Sequence, residues 1–136
     1  MATSTYLSNP LVTVNAVDLS DQCTAAVLTR VIESLESTAF GQTNRSYVGG
    51  LENSTLTLTM YNSFAATETY ATLKALVGTQ TTVKIKPTSA ATSATNPEST
   101  LTLTYLESLP IVNGQLGALD TIDITFTGGA YSVAVA

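Results

Sequence analysis

The sequence predicts a mainly β domain, a β-sandwich or curved pair of antiparallel sheets, with one flanking α-helix. Three observations carry this. Thr and Val, β-branched residues suited to a pleated surface, dominate the strand-like segments, and 38 of the 136 residues are Thr or Ser. The apolar residues recur mostly with a period of two, as in strands with one buried face. Only one segment combines helical spacing with start and stop signals. A chain of 136 residues makes one domain, 1–136, whose core needs neither disulfide nor metal.

Residues 1–10 read as an N-terminal arm, without the basic region and apolar run of a secretion signal. Leu11 to Val17 is a first strand, closed by Asp18-Leu19-Ser20-Asp21, whose short acceptor side chains suit a turn. Cys23 to Leu35 is rich in Thr, Val and Ile and is read as one long strand, although Val27, Arg30, Val31 and Ser34 also fit a helical spacing. Residues 41–52 are polar, aperiodic and contain Gly49-Gly50, the mark of a long loop or an extended hairpin tip. Thr55 to Tyr61 alternates cleanly, with Leu56, Leu58 and Met60 on one side and threonines on the other.

The helix follows. Thr67 is its expected N-cap and Glu68 sits at the positive end of its dipole. Tyr70, Leu73, Leu76 and Val77 line one side before Gly78 stops it, about a dozen residues on. Thr81 to Lys86 is a strand with Val83 and Ile85 inward, Lys84 and Lys86 outward, and Pro87 at its end. Ser89 to Ser99 reads as a mobile loop by composition. Thr100 to Tyr105 repeats the Thr/Leu alternation, Asn113-Gly114 signals a tight turn, and Gln115 to Asp120 is a connector. Ile122, Ile124 and Phe126 form the inward face of a long strand ending at Gly128-Gly129. Residues 130–136 are a last strand or tail, with no charge to discourage edge pairing.

Composition removes much of enzymology. There is no His, the commonest general base and metal ligand. The single Cys23 has no partner for a disulfide and no His to activate it. Asp18 with Asp21, Glu33 with Glu36, and Asp120 with Asp123 are close in sequence, yet none is matched by a base, and turns or solvated faces explain them. No phosphate-binding glycine motif or calcium loop is present. We therefore read no enzyme, no cofactor and no metal. Five basic residues against ten acidic ones give a net charge of -5, the wrong sign for gripping a phosphate backbone. No run of apolar residues is long enough to span a bilayer as a helix.

Charged residues make up only 11% of the chain, where soluble domains average about 25%. Subunit interfaces are depleted in charge at their centres, so this composition fits a protein that works assembled. It also fits an extracellular or surface β-domain with a Thr-rich face. Exposed strand edges usually carry charge or Pro to block chain-to-chain pairing. The weak protection here points to wanted pairing.

The order of Val12-Thr13-Val14-Asn15, Asp18-Leu19-Ser20-Asp21, Thr38-Ala39-Phe40-Gly41 and Tyr47-Val48-Gly49-Gly50-Leu51, followed by Thr55 to Tyr61 and the helix Tyr70 to Val77, resembles the major tail tube proteins of long-tailed, siphovirus-like actinobacteriophages. Lys84-Ile85-Lys86-Pro87-Thr88 and Asn96-Pro97 fit the same family, and the likeness runs from about residue 8 to residue 129. It implies a structural virion protein of the tail. Hexameric rings, with four strands per subunit in a shared inner barrel, would stack into a conduit for the genome. It further implies partners: other copies of the chain, a tape-measure protein, and tail-terminator and initiator proteins, with DNA passing through unbound. Assembly in the host cytoplasm follows.

The residues at 41–52 occupy the position of that family's long assembly loop, so Phe40, Arg45, Tyr47 and Leu51 are candidate subunit-interface anchors, aromatics and Arg being enriched at such contacts. Phe40 and Leu51 serve equally well to close the core. Asp123, opposite in direction to Ile122 and Ile124, is the candidate lumen-facing acid, or else an outward solvated carboxylate. A capsid decoration or head-to-tail joining protein is the alternative of the same kind. A receptor- or carbohydrate-binding β-sandwich is the alternative of another, although zero Trp disfavours sugar stacking.

Overall fold

The computed structural model describes residues 10–135; most of the expected N-terminal arm lies outside them. Ten strands and one helix follow in the order β1 (Leu11–Val14), β2 (Val17–Asp18), β3 (Cys23–Thr29), β4 (Ile32–Glu36), β5 (Tyr47–Glu52), β6 (Thr55–Tyr61), α1 (Thr69–Leu73), β7 (Gln80–Lys86), β8 (Glu98–Leu106), β9 (Thr121–Thr127) and β10 (Ala130–Ala134). Every pairing between them is antiparallel. The main sheet runs β2-β1-β7-β8-β9-β6-β3, with β10 also on β8, while β4 and β5 form a separate two-stranded ribbon. The fold is mainly β with one short helix, as expected.

The period-two pattern becomes a core directly. Leu56, Leu58 and Met60 of β6 and Ile122, Ile124 and Phe126 of β9 are each at most 1% exposed, and meet Val12, Val14, Val83, Leu101 and Leu106 from the other side. The two central strands pair in register, Leu56 opposite Phe126, Leu58 opposite Ile124 and Met60 opposite Ile122. Leu73 and Leu76 close this core from the helix and the turn after it.

Strand β8 couples the two halves. Along one edge it pairs with β7; along the other its end, Tyr105 and Leu106, pairs with β9, while Glu98 to Thr102 pairs with β10. One β7 residue, Thr82, faces both Thr102 and Leu103, a bulge that gives Leu103 a φ of 61°. Because a bulge shifts the parity of the strand, Leu103 is 60% exposed and Thr104 is buried, against the plain alternation expected there. Gly129, at φ 87°, turns β9 into β10 against this bulge, where a Cβ would lie 2.5 Å from the Thr102 carbonyl oxygen.

Other expectations change in detail. The segment expected as one strand from Cys23 to Leu35 breaks at Arg30-Val31, because the chain leaves the main sheet there. The helix is shorter than the expected dozen residues. Thr67 is not its N-cap: Thr67 has a φ of 61° and Glu68 takes that place without a side-chain cap. The Glu68 carboxylate instead accepts from Gln22 Nε2, and Thr69 Oγ1 donates to Gln22 Oε1. After Leu73 a tight turn and a bridge from Val77 to Leu106 draw the chain toward β7.

The segment expected to be a mobile loop is tied down by Asn96, whose Oδ1 accepts from the Thr88 N–H and whose Nδ2 reaches the Thr88, Ala90 and Ala91 carbonyls. It folds over Lys86, which is buried rather than outward as expected, its ammonium donating to the Ala90 carbonyl. The turn expected at Asn113-Gly114 lies instead at Leu116-Gly117, spanned by a bond from the Ala118 N–H to the Gln115 carbonyl.

The two glycines at the β9–β10 junction differ in consequence. Gly128→Ala, with open space around it, costs about 1–2 kcal/mol for its φ of 77°. Gly129→Ala meets backbone as well, so thermal denaturation will show a distinctly larger loss of stability.

Candidate functional site

Among the described residues no group of three or more Cys, Asp or Glu side chains is placed to hold a metal, and no helix is long and apolar enough to cross a membrane. The features with something to do are surfaces. Three stand out.

The first is the β4–β5 ribbon. Every residue of β4 is exposed, and Tyr47, Val48 and Leu51 of β5 are exposed too. Leu35 faces Val48 across the ribbon and Glu36 faces Tyr47, so apolar groups lie on both of its faces. Residues 41–52 are thus only partly a loop, since 47–52 are strand. Gly49 and Gly50 lie inside β5 rather than in a turn, and the missing side chain at Gly50 leaves room for Leu35 and Glu33. A two-stranded ribbon alone is marginal in water, and among the described residues this one shares a sheet with no other strand.

The ribbon is nevertheless fixed at both ends. At its root Arg30 reaches Glu52, Nε to Oε1 at 3.4 Å, and lies over the Tyr131 ring of β10 at 5.1 Å. The Asn53 N–H also donates to the Val31 carbonyl. At its tip the Ser46 N–H donates to Thr38 Oγ1, and the Ala39 N–H to Gln42 Oε1. A turn from Ala39 to Gln42, with Gly41 at φ 89°, presents Phe40 outward, fully exposed.

Phe40, Arg45, Tyr47 and Leu51 therefore all sit on this ribbon and all are exposed. Phe40 and Leu51 do not close the core. Sequence reasoning missed their companions Val31, Ile32, Leu35 and Val48, whose signal was a β-branched, apolar run with no helix or sheet left to cover it.

The second surface is the outer face of β3, β6 and β9. Val27 lies opposite Thr57, which lies opposite Thr125; Thr59 lies opposite Asp123. Asp123 is exposed, as expected from its alternation with Ile122 and Ile124, and its Oδ1 accepts from Thr59 Oγ1 at 2.7 Å. It is the single charged residue on the three strands. At the margin, β3 pairs with β6 alone among the described residues, so none of them covers its other edge, and its sequence carries no charge or Pro to protect it. β10, likewise uncharged, pairs only with β8 among the described residues.

The third surface, also missed, lies in the connection from β8 to β9, where Ile111, Val112, Leu116 and Leu119 are exposed. Asn62 braces this loop, donating to the Ile111 carbonyl and to Asp120 Oδ2.

No protein-family model matches the chain, and no curated protein matches it by sequence. Solved structures match its shape along almost its full length. One is a chain of the virion of a native gene transfer agent particle, with a TM-score of 0.76 at 11% identity, covering 97% of this chain and 100% of that one. This chain and that one share a mainly β fold. A chain in the sheath/tube terminator of an extracellular contractile injection system in the extended state matches at TM-score 0.74 and 13% identity, over 99% of both chains. One in that system's sheath-tube complex matches at 0.70 and 11%, over 100% of this chain and 95% of the other. These neighbours are chains of virion and sheath-tube assemblies, and this chain shares their fold at low identity.

The Arg30 guanidinium beside Glu52 holds the Glu52 carboxyl below its usual range. A carboxyl lowered by folding contributes stability above its unfolded pKa and loses it as pH falls through the folded one. Acidification from roughly pH 6 to 3 should therefore free the Arg30 side chain, seen as movement of its Nε–H resonance; Glu52→Gln should abolish that titration.

Proposed function

We propose that this protein is the subunit of a phage tail tube: a structural, non-enzymatic virion protein that forms hexameric rings, stacks them, and so builds the conduit through which the genome leaves the capsid. The observation that carries the reading is the combination on β3, β6 and β9 of a threonine-covered face, a single carboxylate and an unprotected free edge. A conduit must stay wetted without binding what moves through it. Hydroxyl groups supply the wetting, and Asp123 supplies one phosphate-repelling charge per copy. Six copies at -5 each carry about -30.

Backbone pairing at the open edges joins copies into a barrel. If each subunit lends four strands, the ring exceeds the 16–18 strands that already leave an aqueous channel. The apolar ribbon with Phe40, Arg45, Tyr47 and Leu51 supplies contacts between copies. The long-tailed actinobacteriophage tubes that the sequence resembles support the same arrangement. Tape-measure, terminator and initiator proteins are then its assembly partners, the host cytoplasm its assembly site and the virion tail its destination.

Negative-stain microscopy of the concentrated protein tests this: stacked rings with six-fold symmetry are expected. A protein that stays monomeric at every concentration overturns the reading in favour of a binding module, and discrete trimers favour a decoration protein. Arg45→Ala with Tyr47→Ala should shorten the tubes while leaving the monomer's melting temperature nearly unchanged; tubes of normal length remove these two residues from the interface. Asp123→Lys should leave assembly intact but make assembled tubes retain a labelled DNA strand that wild-type tubes release, measured by co-sedimentation at low salt.

A further inference from the structure

A cleft of about 430 Å3 opens between β3 and the facing ends of β7, β8 and β10, lined by Cys23, Ala26, Leu28, Ile85, Pro97 and Tyr131 among others. Its walls are mainly apolar, and the charged residues that line it, Arg30 and Lys86, are both basic. Arg30 is engaged by Glu52. Lys86 is only 9% exposed, its ammonium donates to the Ala90 carbonyl at 3.0 Å, and among the described residues no carboxylate lies within salt-bridge distance of it. A covered cation without a counter-charge is unfavourable. The cleft therefore suits an occupant with an apolar anchor and an acid.

The ribbon tip offers both, and a single chain leaves it unused. Phe40 stands fully exposed on its turn, and Glu36, four residues before it, is exposed at the end of β4. We infer that the cleft receives the ribbon tip of a second copy, with Phe40 entering between β3 and Tyr131 and Glu36 meeting Lys86. This rests on the tail tube reading and deepens it by naming the receptor of the ribbon. The ribbon carries Glu33 and Glu36 against Arg45, so its charge complements the basic cleft. Knob and cleft lie on different parts of the molecule. Their union is head-to-tail, the kind of contact that generates closed rings or continuing stacks rather than isolated pairs.

The native Cys23 in the cleft wall provides the test. Phe40→Cys places a thiol at the tip, and a short bismaleimide should link assembled tubes into a ladder of oligomers on a denaturing gel. The same variant carrying Cys23→Ala should give no ladder. Where Phe40→Cys fails to fold, Thr43→Cys at the same tip with a longer linker gives the same reading. Glu36→Gln and Lys86→Met should each raise the critical concentration for assembly several-fold, and together little further.

Wild-type tubes whose thiol variants assemble but never cross-link, cross-linking within monomers, or fully additive effects of the two charge substitutions overturn the cleft assignment while leaving the tube standing. Wild-type protein that forms no rings overturns the tube reading, and this contact with it.

Discussion

Everything in this molecule depends on the alternation of side chains along β6 and β9. The two strands pair in register, so Leu56, Leu58, Met60, Ile122, Ile124 and Phe126 converge on one side and form the centre of the core. Each such side chain, fully buried, contributes about 1.5–3 kcal/mol. The same geometry leaves only Thr, Tyr and one Asp on the opposite face. Slipping one strand by a single residue would bury Asp123 and expose Phe126, so the core and the polar face cannot vary independently. The threonine-rich face is therefore a by-product of the packing that holds the chain together.

The rest of the chain hangs from this centre and is less complete. The bulge at Leu103 and the turn at Gly129 let β8 serve β9 at one end and β10 at the other, which brings Tyr131 beside Arg30. Arg30 then joins the end of β3, the root of the ribbon at Glu52 and the ring of Tyr131. A long, apolar, two-faced projection is thereby held in a fixed direction before anything covers it. The low charge of the chain has its counterpart on this surface, where many of the exposed residues are apolar.

The strands with strict alternation were legible in the sequence, because burial on one face imposes a period of two; the orientation of Asp123 followed from the same rule. The exposure of Phe40 and Leu51 was not legible, because an apolar residue in a loop looks the same whether it fills a core or waits for a partner. The break at Arg30-Val31 was hidden because both halves have strand composition and only tertiary placement separates them. At Leu103 the pattern misled, since a bulge changes parity without changing composition. The helix was over-read, because Leu76 and Val77 keep helical spacing while their backbone already turns toward Leu106. Loop composition likewise concealed the bonding capacity of Asn96, which depends on where Thr88, Ala90 and Ala91 are held.

That clamp has a chemical consequence. An asparagine amide is lost over time when the next residue's backbone nitrogen attacks it to form a succinimide. Asn96 is followed by Pro97, whose ring nitrogen carries no hydrogen, so this route is closed and the clamp resists ageing. Asn113 precedes Gly114, the least hindered neighbour, and its amide donates to the Thr121 carbonyl at the entrance to β9. Slow chemical decay of the chain thus concentrates at Asn113, beside the Asp120 carboxylate, where deamidation removes a donor and adds a second negative charge.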